Sequence, residues 1–142
     1  MNEQELRQAL GALEVYKAQL EGIVEQQQLV QVSLEEYGRA KATLTEFKNA
    51  KEGDEVLVPI GGSSFVRAKV SDSQKVLIGV GSGITVEKDI DEAMKLIDSR
   101  MQEMLDAMKK LNESRQVIEM KSSQLSQMLQ AEYQAMGQQT QM

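Results

Sequence analysis

Cysteine and histidine, which carry most nucleophilic and proton-shuttling chemistry near neutral pH, are both absent from these 142 residues. Their absence removes disulfides, thiolate nucleophiles, thiolate or imidazole metal sites, and every imidazole-based acid or base. The remaining candidates are two glycine-rich loops, two acidic clusters and a run of methionines. The loops, "GGSS" at 61 to 64 and "GVGSG" at 79 to 83, each follow an apolar stretch, where a backbone cradle for phosphate could form. Neither is followed by Lys-Ser/Thr, and neither opens a helix whose N-terminus could receive an anion. Both are read as turns at strand ends.

The acidic clusters also read as structure. Glu52, Asp54 and Glu55 sit beside Lys51 in a stretch of linker composition rather than metal-ligand spacing. Asp89 followed by Glu92 three residues later is a capping-box pattern, and Asp91 adds a charge that favours the positive end of a helix dipole. No catalytic, cofactor-binding or metal-ligating residue is assigned, no cofactor is expected, and no enzymatic activity is expected.

The elements around these residues are long helices. From Leu6 the apolar residues follow a heptad: Leu6, Leu13, Leu20 and Leu34 at one position, with Ala9, Tyr16, Ile23, Val30, Tyr37 and Leu44 at the other. Ten of the twelve seam positions from 6 to 44 are apolar, the exceptions being Gln27 and Lys41. That is a coiled-coil seam. The C-terminal part repeats it with Met94, Met101, Met108, Leu129 and Met136 alternating with Ile97, Met104, Leu111, Ile118 and Leu125, interrupted by Arg115, Ser122 and Glu132. Helices of about 47 residues would each be about 70 Å long, and the one proline, Pro59, lies between them. An antiparallel helical hairpin is the economical solution, with facing residue numbers summing to about 136, which sets Arg115 near Glu21.

Between the helices the period becomes strand-like: Val56 to Ile60, Phe65 to Val70, Lys75 to Val80 and Ile84 to Val86, separated by "GGSS", "SDSQ" and "GSG". The chain divides into residues 1–50, an N-terminal coiled-coil helix; 51–88, two β-hairpins; 89–137, a C-terminal coiled-coil helix; and 138–142, a frayed tail. The fold class is α+β, mainly α. Isolated hairpins are marginal in water and their open edges invite pairing with other chains. Val56, Val58, Ile60, Phe65, Val66, Val70, Val76, Ile78, Val80, Ile84 and Val86 are therefore expected to form an oligomerisation core, as a barrel or sandwich shared among subunits.

Net charge is −6: residues 1–50 hold 5 basic and 8 acidic residues, 51–88 hold 5 and 5, and 89–142 hold 6 and 9. Without a basic stripe, nucleic-acid binding is disfavoured. No apolar run approaches a membrane span and no export signal opens the chain, so a soluble, cytoplasmic protein is expected. Eight of nine methionines lie between Met94 and Met142. Where Ser122, Glu132 and glutamines dilute the seam, Leu125, Met128, Leu129, Tyr133 and Met136 meet Leu6, Leu10 and Leu13 at the tip of the helical pair. Flexible Met and Leu surfaces repack around varied partners. An apolar tip on an acidic stalk suits holding non-native chains.

The stretches "LVPIGGSSFVRAKV" (57 to 70) and "VLIGVGSGITVEKDIDEAM" (76 to 94), set between two coiled-coil helices, resemble the alpha class of prefoldin subunits, which has two hairpins where the beta class has one. The resemblance covers nearly the whole chain and favours an archaeal source. It implies a hetero-hexamer of two alpha-class and four beta-class subunits, with a double β-barrel and six coiled-coil arms. It further implies an ATP-independent holdase that captures non-native clients at the arm tips and passes them to a group II chaperonin. It supplies no motif for the tip residues, whose assignment rests on the register. The alternative is a structural coiled-coil scaffold or filament subunit assembled through the same β-core.

Overall fold

The structure, a computed structural model, describes residues 1–140, with side chains described through residue 138. Two helices bracket four strands in the order α1 Glu3–Phe47, β1 Glu55–Gly61, β2 Ser64–Lys69, β3 Lys75–Gly81, β4 Ile84–Asp89 and α2 Ile90–Thr140. The chain forms two compact units: Met1–Val32 with the residues from Leu105 onward, and Ser33–Met104. The fold is α+β and mainly helical. Among the described residues no helix is long and apolar enough to cross a membrane.

In the first unit α1 opens with a reciprocal capping box. The amide of Glu5 donates to Asn2 Oδ1 at 2.8 Å, and the amide of Asn2 donates to Glu5 Oε2 at 3.1 Å, so two otherwise unpaired donors at the helix start are satisfied. Every α1 seam position from Leu6 to Val30 is buried or half-buried, as is every α2 seam position from Met108 to Glu132. Gln27 and Arg115, each an interruption in its own heptad, meet: Arg115 Nη1 donates to Gln27 Oε1 at 3.2 Å. Its Nε donates to Glu119 one turn on, at 2.8 Å. The partner of Arg115 is therefore Gln27 and not the expected Glu21, because one polar layer accommodates both departures from the apolar pattern. α2 also continues through Thr140, so residues 138–140 extend the helix where a frayed tail was expected; residues 141 and 142 of that tail lie outside the described residues.

The second unit holds both hairpins and the inner ends of both helices. Its core is Ile78 on β3 with Ala93 and Ile97 on α2, the alanine wholly inaccessible, packed against by Tyr37, Ala40 and Leu44 of α1 and by Val76, Leu96 and Met101. Val76 and Ile78 share a face of β3, since strand side chains alternate, and that face sits on the helices. Two exposed ion pairs reach α2 here, from Lys41 of α1 to Asp98 and from Lys48, just past the end of α1, to Asp91, both at 2.7 Å. Exposed pairs of this kind contribute at most about 1 kcal/mol each, so apolar packing dominates. Asp89, expected to cap α2, instead holds Lys75 across the hairpin at 2.7 Å.

Truncating Ile97, which is 5% exposed, should destabilise the folded chain by about 2–5 kcal/mol. The check is urea unfolding followed by circular dichroism, with Ile97→Ala expected to lower the midpoint and Leu29→Ala, on an exposed side chain, expected to leave it nearly unchanged.

Candidate assembly and binding surfaces

β1 pairs antiparallel with β2, and β3 with β4; each sheet has two strands. The ladders run from Glu55 opposite Lys69 to Gly61 opposite Ser64, and from Lys75 opposite Asp89 to Gly81 opposite Ile84, each with a register shift just before the turn. That shift is where Gly61 and Gly81 adopt φ of 102° and 112°, a backbone region essentially reserved for glycine. The next two residues, Gly62 and Ser63 or Ser82 and Gly83, all have positive φ, from 53° to 75°. Two successive positive φ values form the primed turn whose twist matches that of the flanking strands. The glycine-rich loops are thus bulge-and-turn devices, and Glu55 and Asp54 of the acidic linker are engaged by Arg67 and the Lys51 amide respectively.

Beyond the turn each hairpin is closed at its base. The amide of Val70 donates to the Asp54 carbonyl at 2.8 Å and that of Gly53 to the Val70 carbonyl at 2.7 Å. Ile90 donates to the Gln74 carbonyl at 2.9 Å. Arg100 of α2 pins the second hairpin: its Nη2 donates to the carbonyl of Gly79 at 2.9 Å, and its guanidinium lies 5.9 Å from the centroid of the Tyr37 ring. No sequence pattern announces this clamp, because one partner is a backbone carbonyl.

The outward surfaces of the strands are apolar. Leu57, Ile60, Phe65 and Ile84 are 58–63% exposed, and Leu77 is 73% exposed. Of the residues expected in an oligomerisation core, Val70 and Ile78 are buried within the chain and Val56, Val76 and Val86 are half-buried, while Val58, Ile60, Phe65, Val66, Val80 and Ile84 are exposed. Leu57 and Leu77, absent from that expectation, join the exposed set. Strand alternation separates the two faces but does not say which of them a neighbour covers.

In the first unit the residues expected to bind clients divide in two. Leu6, Leu13 and Leu125 are half-buried in the seam and Leu129 is only 4% exposed, whereas Leu10, Met128, Tyr133 and Met136 are exposed. The Met1 ammonium contacts the Glu132 carboxylate, which raises its pKa, the hydrogen bond contributing most and the opposite charge next. A seam carboxylate, Glu132, is thereby matched by a cation.

The family model "Prefoldin subunit" matches residues 16–135, which takes in both hairpins and most of both helices. The chain belongs to the prefoldin family. Prefoldins are chaperones. This chain is 36% identical over 110 residues to a prefoldin subunit alpha of Methanothrix thermoacetophila, covering 78% of this chain and 72% of that one. It is 45% identical over 76 residues to the one from Methanopyrus kandleri, covering 54% and 48%. Among solved structures it is similar to filamentous PFD from Methanocaldococcus jannaschii, with a TM-score of 0.58, 30% identity, and coverage of 88% and 98%. The prefoldin beta subunit from Thermococcus strain KS-1 shares the fold, with a TM-score of 0.60, 21% identity, and coverage of 92% and 93%.

Two outcomes follow for the prefoldin hairpins. Arg100→Met should speed amide hydrogen exchange in β3 while leaving β1 unchanged, as read by mass spectrometry. The exposed Lys75 ammonium has its pKa raised from 10.5, chiefly by its hydrogen bond to Asp89 and then by that charge. A folded-state pKa above the unfolded value means the pair's contribution is fully present below pH 10.5 and lost as pH rises through the raised value. The stability difference between wild type and Lys75→Met should shrink over that alkaline range in denaturation curves taken at successive pH values.

Proposed function

We propose that this chain is the alpha-type subunit of an ATP-independent holdase. Two copies assemble with four beta-class subunits through the hairpins, which form inter-subunit β-barrels. The helical pairs capture non-native proteins at their free ends and deliver them to a group II chaperonin, in the cytoplasm, without catalysis. The observation that carries this reading is the pairing of two exposed apolar hairpins with helices whose terminal portion exposes Leu10, Met128, Tyr133 and Met136. The relatives named prefoldin subunit alpha support it.

The magnitudes fit reversible capture. Fully burying a Leu or Met side chain is worth about 1.5–3 kcal/mol. A few such contacts on each of several arms therefore hold a client by multivalency, while each arm alone binds weakly. Leu129 and the half-buried Leu6, Leu13 and Leu125 would serve this role by shaping the surface that the exposed residues present, or by opening when the helices part.

A second reading is favoured by the similarity to a filamentous PFD: a structural subunit assembled through the same β-core into a filament. The two are separated by one comparison. A variant lacking residues 1–12 and 126–142 should keep the native assembly mass in light scattering and lose suppression of aggregation of a denatured enzyme. Retained suppression by that variant would refute capture at the helix ends. No suppression by the full-length protein, together with fibres in electron micrographs, would favour the filament.

A further inference from the structure

Sulfur in this chain is confined to methionine, since there are nine methionines and no cysteine. Along α2 the exposure of the described methionines changes at one point. Met94, Met101, Met104 and Met108 are half-buried, with Met101 packed against the core of Ile78, Ala93 and Ile97. Met120, Met128 and Met136 are 62%, 55% and 51% exposed. The methionines of α2 most open to solvent therefore lie in the same C-terminal stretch as the proposed capture surface, and Met128 and Met136 belong to that surface.

A thioether packs much as leucine does but has a reaction that leucine lacks. Its sulfur lone pair attacks one oxygen of a peroxide, so that an S–O bond forms and the O–O bond breaks. The proton on the transferred oxygen passes to the departing hydroxide, which leaves as water. Sulfur is oxidised by two electrons, the peroxide is reduced by two, and the product is a sulfoxide. A flexible apolar side chain thereby becomes polar, and burying it against an apolar client without a hydrogen bond costs free energy. With no cysteine the chain holds no thiol to compete for peroxide or to reverse the step. An external dithiol reductant restores the thioether, releasing the oxygen as water and becoming a disulfide. Leu10 and Tyr133, the other exposed members of the surface, do not react in this way.

We propose that Met128 and Met136 are reversible oxidation sites through which a peroxide weakens client capture at the helix ends. The assignment rests on the capture half of the proposed function and adds its regulation. Losing the apolar transfer of one methionine that a client would bury corresponds to about tenfold or more in affinity. Where several arms hold one client the losses multiply, so modest oxidation of each arm releases it. The half-buried Met94, Met101, Met104 and Met108 react more slowly because solvent reaches them less, and the helical packing they serve outlasts the change at the ends.

The test treats the full chain and two full-length variants, Met128→Leu with Met136→Leu and Met120→Leu, with graded hydrogen peroxide, each compared with its own untreated sample. Peptide mass spectrometry reads the sulfoxide at each methionine, circular dichroism the helices, light scattering the assembly, and fluorescence the affinity for a dye-labelled denatured enzyme. Sulfoxide should form at Met120, Met128 and Met136 before the four half-buried methionines, with helicity and assembly mass retained. At that dose wild type and Met120→Leu should bind the denatured enzyme at least about tenfold more weakly. The double variant, which keeps Met1 and Met120, should stay within about twofold of its untreated affinity, and a sulfoxide reductase supplied with dithiothreitol should restore wild type. Oxidative control is overturned if the half-buried methionines react as fast, if wild type binds unchanged with both sulfoxides present, or if the double variant loses as much as wild type. Any of those results leaves client capture standing. Absence of binding by the untreated chain, or retained suppression after removal of the helix ends, would remove the capture reading itself and oxidative control with it.

Discussion

A strand in a two-stranded sheet turns only one of its edges toward a partner, so half of its backbone donors and acceptors face outward along the other edge. Among the described residues there are two such sheets, hence four edges without a strand partner, and apolar side chains of these strands are more than half exposed at Leu57, Ile60, Phe65, Leu77 and Ile84. Open edges of this kind pair readily with other chains. The rest of the structure is arranged around that constraint: α1 and α2 cover one face of the second hairpin through Ile78, Ala93 and Ile97, Arg100 of α2 donates to the Gly79 carbonyl of β3, and among the described residues no strand pairs beyond its own hairpin. A chain built this way is suited to assembly rather than to isolation.

The helices obey a different economy. Their seams are thin, built largely of half-buried leucine and methionine, and among the described residues of the first unit only Ala9 and Leu129 are buried, at 8% and 4% exposure. Stability there is spread over many weak layers, one of them the polar pair of Gln27 and Arg115. A seam of this kind holds two helices together while leaving Leu10, Met128, Tyr133 and Met136 exposed, and methionine among them is a flexible, readily repacked side chain. The second unit is tighter, with an inaccessible Ala93 and the Arg100 clamp on the Gly79 carbonyl.

Much of this was legible in the sequence. The heptads located both helices because a buried stripe must recur at helical spacing, and the turns were legible because Gly61 and Gly81 need backbone angles closed to other residues. Features that depend on which residues meet across the chain were not. The heptads marked Gln27 and Arg115 as polar interruptions, but a heptad written for each helix separately does not fix the register between them, so their mutual pairing could not be read. Asp89 carried a capping signature, yet its carboxylate is held by a cross-strand lysine; the capping box that forms, Asn2 with Glu5, lies at the start of α1. The heptad already placed Leu129 in the seam and Met128 outside it, as found, but it placed Met136 in the seam too, where the side chain is 51% exposed.

The central claim is that the outward edges of the hairpins are completed by other chains. The most direct measurement is amide hydrogen exchange of the peptides spanning β2 and β4 at protein concentrations below and above the assembly transition. The account predicts slow exchange in both strands only above the transition, while the first turns of α2 are protected throughout. Equal protection of β2 and β4 on both sides of the transition, or assembly that leaves them exchanging freely, would contradict it.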